Sequence, residues 1–185
     1  MKRQIVTPAV LPPAALAELK QWLGIATAHD DAPLAVLLRA GLDICEAFTG
    51  LMPLEAECEE VRSASTAWQV LATRPVQAIT AVDAIDAIDA AGARTPLVSG
   101  AYALELDADG AGRVRLIEPG NATRIAVRFT AGLAPDWDSL PEALRHGVLR
   151  LAAHQHRERE TSGAGALPPA SVAALWRPWR RMRLA

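Results

Sequence analysis

The sequence predicts an α+β fold. It reads as a helical body (two N-terminal helices, one long helix near 139–160 and a short C-terminal helix) with a small antiparallel β-sheet inserted at about 54–134. Three observations carry this reading. Apolar residues recur at three- and four-residue spacing near both ends of the chain, the period of a helix with one buried face. In the middle they alternate with polar residues, the period of a half-buried strand. Proline and glycine bracket the helical stretches, Pro inside the start and Gly past the end. The organisation that follows is a helical body from 1–53 and 135–160, an inserted β subdomain at 54–134, and a linker with a C-terminal tail at 161–185.

The first helix starts at Pro12-Pro13, carries Leu16, Leu19, Trp22 and Leu23 on one side and ends before Gly24. The second is expected to take its N-cap from Asp30 or Asp31, with Pro33 in the first turn. Its apolar face holds Leu34, Leu37, Leu38, Gly41, Ile44, Cys45 and Phe48, and Gly50 ends it. "AYALELDADGAGRVRLIEPG" alternates Tyr102, Leu104 and Leu106, turns at Asp109-Gly110, and alternates again at Val114 and Leu116, a β-hairpin. "RIAVRFTAG" sets Ile125, Val127 and Phe129 against Arg124, Arg128 and Thr130, as a further strand should. "AITAVDAIDAIDAAGA" fits neither period, because Ile79, Val82, Ile85 and Ile88 stand three apart. It is read as drift in an alanine-rich stretch, or a strand giving way to a turn near Asp86–Gly92, with Asp83, Asp86 and Asp89 at the surface.

Helix returns at "SLPE", a capping box in which Ser139 caps and Glu142 reaches back. Leu140, Leu144, Gly147, Val148 and Leu151 form its inner face to about Glu160, while Leu149, Ala152 and Ala153 make it greasy on a second side. Such a helix is sandwiched, within a fold or between subunits. "TSGAGALPP" reads as a linker. Val172, Leu175 and Trp176 form a last short helix, which Pro178 cannot continue, so "PWRRMRLA" is expected to leave as an extended basic tail.

Composition bounds the chemistry. With 51% hydrophobic and 22% charged residues in 185, the chain can build a packed core. No apolar run approaches the ~20 residues that span a bilayer, and Pro8 interrupts the N-terminus before any signal-type apolar region. The expectation is a soluble chain made in the cytosol. Cys45 and Cys58 belong to no CxxC pair and are read as buried thiols. Residues 1–140 hold 11 Lys/Arg against 18 Asp/Glu, a net −7, and residues 141–185 hold 8 Arg against 3 Glu, a net +5. An acidic body with a basic tail suggests that the tail meets something acidic.

"LAAHQHRERE" places two histidines two residues apart. On a helix they lie about 200° apart, so His154 and His156 cannot share an ion. His154 and Glu158 share a face, but His29 and His146 belong to no ligand motif, so no metal site is expected. GxSxG, GxxxxGK[ST], GxGxxG and HExxH are all missing, and "DADGAG" lacks an EF-hand's length and terminal Glu. Nothing argues for an enzyme, and no cofactor is expected. The outer face of the long helix (Leu149, His156, Arg157, Arg159, Glu160) is the candidate inter-subunit surface. Leu175, Trp176, Arg177, Trp179, Arg180, Arg181 and Arg183 carry the residue types of interface hot spots. The same tail could pack on its own body, or contact nucleic acid by stacking and phosphate pairing.

In order along the chain, "LAELKQWLGI", "HDDAPL", "EAFTG", "RPVQAITAV", "RIAVRFTAGLA", "PEALRHGVLRLAAHQHRERE" and "LPPASVAALWRPWR" resemble the head–tail connector proteins (adaptors, or head-completion proteins) of tailed bacteriophages and phage-like gene transfer agents. Two departures concern contacts: Gln155 and His156 stand where family members carry aromatics, and Leu51 where a basic residue usually follows the TG. The resemblance implies a structural, non-enzymatic protein of the particle neck, assembled in the bacterial cytoplasm. It implies a homo-oligomeric ring, typically a 12-mer, beneath the portal protein and above a stopper or tail-terminator protein, with the C-terminal segment engaging the portal. Double-stranded DNA would pass through the ring without sequence recognition, and an acidic bore would let it slide. The alternative from another class is a small DNA-binding module using the basic Trp/Arg tail.

Overall fold

The computed structural model describes residues 2–86, 94–158 and 168–180. The chain divides into two compact units. One contains the residues up to Ala9 together with Glu55–Gly132, and the other contains Val10–Leu54 with the residues from Leu133 on.

The first unit is all β. Its strands are β1 (Lys2–Thr7), β2 (Ala56–Ser63), β3 (Gln69–Val70), β4 (Val76–Asp86), β5 (Arg94–Pro96), β6 (Tyr102–Leu106), β7 (Gly112–Leu116) and β8 (Ala122–Ala131). They form a five-stranded sheet in the order β1-β2-β8-β4-β5 and a three-stranded sheet in the order β3-β7-β6, every pairing antiparallel. Cys58, Val82, Ile125, Val127 and Phe129 of the larger sheet and Val114 and Leu116 of the smaller are buried, with Leu71 and Val76 beside them. The hairpin of β6 and β7 pairs Leu104 with Val114 and Leu106 with Gly112. Its turn needs Gly110 twice over: φ is +76°, and a Cβ there would stand 2.5 Å from Pro75 Cβ.

This architecture overturns the expectation of a helical body with two N-terminal helices and one small inserted sheet. The described residues hold eight strands in two antiparallel sheets, and the chain enters through a strand, not a helix. "KRQIVT" is only six residues long and lacks alternation, and its partner β2 lies some fifty residues further on, so local pattern does not betray it. The spacing of three in "AITAVDAID" also has a physical cause. β4 carries bulges, one of them between Ile79 and Ala81. Ile79 faces Phe129 and Val82 faces Val127, both on the core side, because the bulge absorbs one residue between them. Ile88 and Asp89 lie outside the described residues.

Adjacent acids on β2 point to opposite faces. Glu60 is fully buried, and its carboxylate accepts hydrogen bonds from the N–H of Ala72 and Thr73, from the Thr73 hydroxyl at 2.8 Å and from Arg62 at 2.8 Å. It ties down the turn that delivers Leu71 to the core. Glu59 takes a bidentate contact from Arg94 at 2.6 and 2.8 Å and a third bond from Arg128 Nε at 3.2 Å. These arginines, Arg94 foremost, hold its carboxyl below the ordinary value against the opposing effect of burial.

The second unit is helical: α1 (Pro13–Leu23), α2 (Asp31–Thr49), α3 (Glu142–Glu158) and α4 (Ala170–Trp176), then one 3₁₀ turn, Arg177–Trp179. Gly24 closes α1 in the left-handed conformation, and the N–H of Ile25 bonds Lys20 O at 2.9 Å. Asp30 makes no side-chain cap for α2, and Asp31 instead pairs with Lys20 at 2.6 Å. Gly41 of α2 lets that helix approach Val148 of α3, where a Cβ would stand 3.1 Å from Val148 Cγ1. The capping box is displaced. α3 begins at Glu142, Ser139 donates its N–H to Asp136 Oδ1 at 2.8 Å, and Glu142 pairs forward with Arg145 at 2.7 Å.

Candidate assembly interface

The C-terminal segment starts from a glycine. Gly147 sits mid-helix in α3, where a Cβ would lie 2.1 Å from Trp176 Nε1 and 2.7 Å from Cε2. The bare backbone forms a slot, and the Trp176 indole fills it fully buried, its N–H donating to Leu144 O at 3.3 Å. Phe48 of α2 lies against the same ring, with centroids 6.0 Å apart, and the Arg180 guanidinium stands 5.5 Å from the Phe48 centroid. Val172 is buried a turn earlier. α4 is therefore held by one large aromatic residue in a slot built for it.

This sorts the candidate tail residues. Trp176 is committed to its own chain, and Leu175 and Trp179 are half-buried. Arg177 and Arg180 are exposed. Arg181 and Arg183 lie outside the described residues. Backbone after Pro178 does not extend at once: Arg177–Trp179 make a 3₁₀ turn, and extended geometry begins at Arg180.

The second candidate surface divides in the same way. Leu149 is buried, as are Ala152 and Ala153, so the second greasy side of α3 is filled within the chain. His156 is half-buried with Nδ1 enclosed and unbonded, and Arg157 is exposed. Arg159 and Glu160 lie outside the described residues. His154 and Glu158 meet at 3.2 Å, side by side on α3. Among the described residues, no three His, Cys, Asp or Glu side chains are grouped to hold a metal, and no helix is long and apolar enough to cross a membrane. Cys45 is buried, which pushes its thiol up to about 12 and leaves it inert.

Sequence reasoning missed three features of this surface chemistry: β1, the Glu59–Arg94–Arg128 cluster and the Gly147 slot. Two neighbouring glutamates in one strand were a usable signal, since one of them must face inward. An isolated glycine inside a helical pattern was another.

No protein-family model matches the chain, and no curated protein does. Solved structures do. A chain in the neck of an empty GTA particle, computed with C6 symmetry, superposes with a TM-score of 0.76 and 28% identity. A chain in the virion of a native gene transfer agent particle, and one in the neck of the native particle computed with C12 symmetry, each give 0.73 and 29%. In all three the match covers 100% of this chain and 98% of the other. Over its whole length, this chain is similar to a neck protein of gene transfer agents.

Proposed function

We propose that this chain is a structural, non-enzymatic head–tail connector of a phage-like particle. Copies form a ring in the neck, between the portal protein and the stopper or tail-terminator protein, and extend the channel through which double-stranded DNA passes. The observation that carries this reading is full-length similarity in both fold and sequence to neck chains, two of them in assemblies of six-fold and twelve-fold symmetry. A ring of twelve identical copies requires heterologous contacts that close. An ordered C-terminal anchor suits that task, because every copy must present the same surface. Trp176 in its slot fixes where Leu175, Arg177, Trp179 and Arg180 stand, and these residues are the described part of the surface offered to the portal. Burial of Trp176 also takes one ring away from the stacking that a DNA-binding tail would use.

The test combines an epitope tag on this chain with point variants in the particle-producing cell. The expected result is tagged chain at the neck of purified particles by electron microscopy, with Arg177→Glu plus Trp179→Ala giving heads without tails from a protein that still melts like wild type. Particles of normal yield and shape without any tagged chain would overturn the proposal. Salt-sensitive DNA binding by the isolated chain, lost in the same double variant, would favour the DNA-binding module instead.

A further inference from the structure

We infer that the outer face of the three-stranded sheet, centred on Arg115 and Trp68, is covered by a second copy of this chain, which brings a carboxylate to Arg115. This rests on the reading of the chain as ring-forming. A ring needs an uncovered contact surface, and the outer side of α3 does not supply it, since Leu149, Ala152 and Ala153 are buried within their own chain. Exposed apolar side chains gather elsewhere. Among the described residues eleven large hydrophobic residues stand exposed, and Trp68, Val70, Val98, Leu104, Leu106 and Ile117 all belong to the β3-β7-β6 sheet or to the segments entering and leaving it. Single exposed residues need no explanation, but a cluster marks a contact site.

The outer face is built by alternation. Val114 and Leu116 of β7 are buried, so Arg113, Arg115 and Ile117 point the other way. Val70 stands opposite Arg113 on β3, and Ala103 opposite Arg115 on β6. The Arg115 guanidinium lies 4.8 Å from the centroid of the Trp68 ring, which holds it in place before any partner arrives. Trp and Arg are the residue types that dominate contact energies. Charge says what the partner brings. Arg62 pairs with Glu60, and Arg113 with Asp107 at 2.7 Å. Arg115 has no carboxylate among the described residues, and its Nε is enclosed without an acceptor. Covering such a charge without pairing it is costly, so the covering surface must offer an acid. A DNA phosphate would meet that need but would leave Val70 and Ile117 facing water. A copy of this chain meets both needs: residues 1–140 hold 18 Asp/Glu against 11 Lys/Arg, and in a ring each copy has another on either side.

The experiment places the photo-reactive residue p-benzoylphenylalanine at position 117 of the full chain, in place of Ile117, and irradiates both purified particles and concentrated purified protein. The expected product is a covalent dimer of this chain alone. Arg115→Glu in the same background should lower its yield by about tenfold or more, since like charges would then face each other. Position 70 is the second site if the first variant melts below wild type. Cross-links only to other proteins of the particle, no dimer from either position, or a dimer yield that Arg115→Glu leaves unchanged would overturn the inference. Dimers of the purified chain together with its absence from particles would overturn the connector reading only; presence at the neck without any dimer would overturn this inference only.

Discussion

Replacing Gly147 by alanine should do the opposite of what the same change does elsewhere in a helix. In an exposed helix interior, Gly→Ala stabilises by about 1 kcal/mol. Here the new Cβ would land 2.1 Å from Trp176 Nε1 and 2.9 Å from Cδ1, inside the ring of a rigid and fully buried side chain. The indole must leave the slot. Losing a buried tryptophan costs about 3–5 kcal/mol, and losing the bond to Leu144 O adds about 1 kcal/mol. Against the helix gain, the net loss is about 3–5 kcal/mol, or roughly 6–20 °C in melting temperature for a chain of this size. The assay is thermal melting of Gly147→Ala, Trp176→Ala and the double variant, with tryptophan fluorescence reporting the indole's environment. In the Trp176→Ala background the slot is empty, so adding Gly147→Ala should recover about 1 kcal/mol. The reversal of sign is the signature. A Gly147→Ala protein that melts above wild type with unchanged fluorescence would refute the slot.

Four more expectations can be checked on the same protein. Glu59→Gln should cost about 1–3 kcal/mol by denaturant unfolding, since two arginines lose a charged partner. The stability that Glu59 supplies is fully present above its ordinary value of 4.5 and is lost as pH falls through its lower folded value, so the gap between wild type and Glu59→Gln should narrow as pH falls below 4.5. Glu60→Ala strands the N–H groups of Ala72 and Thr73 and leaves Arg62 unpaired, a loss of about 3–5 kcal/mol measurable in the same titration. Folded protein should resist iodoacetamide at Cys45 at pH 8, where a thiol pushed up to about 12 is almost wholly protonated, and react after denaturation; rapid labelling of the native state would contradict its burial.

What was legible in the sequence depended on how local the cause was. α1 lies where Pro12, Pro13 and Gly24 bracket it, and the β6–β7 hairpin turns at Asp109-Gly110, because proline, glycine and alternation act within a few residues. β1 was illegible because its partner is distant and its own side chains bury nothing. β4 was illegible because a bulge sets Ile79 and Val82 three apart on one face, while Ile85, three further along a regular stretch, lies on the other face opposite Arg124. At the C-terminus, Trp176 reads alike as an interface anchor or a packed residue until Gly147 is seen beneath it. Charge pairs such as Glu59 with Arg94 join residues 35 apart, beyond any spacing rule.

The chain passes between its two units three times, after Ala9, after Leu54 and after Gly132. Neither unit is therefore a continuous stretch of sequence, and neither can fold as the polypeptide emerges in order. β1 must wait for β2, and α1 and α2 must wait for α3 and for Trp176. Loop closure over such distances slows folding and leaves apolar edges exposed meanwhile. The indole that seals the helical unit follows long after α2 in the sequence, so that unit is complete only once α3 and α4 have both been made.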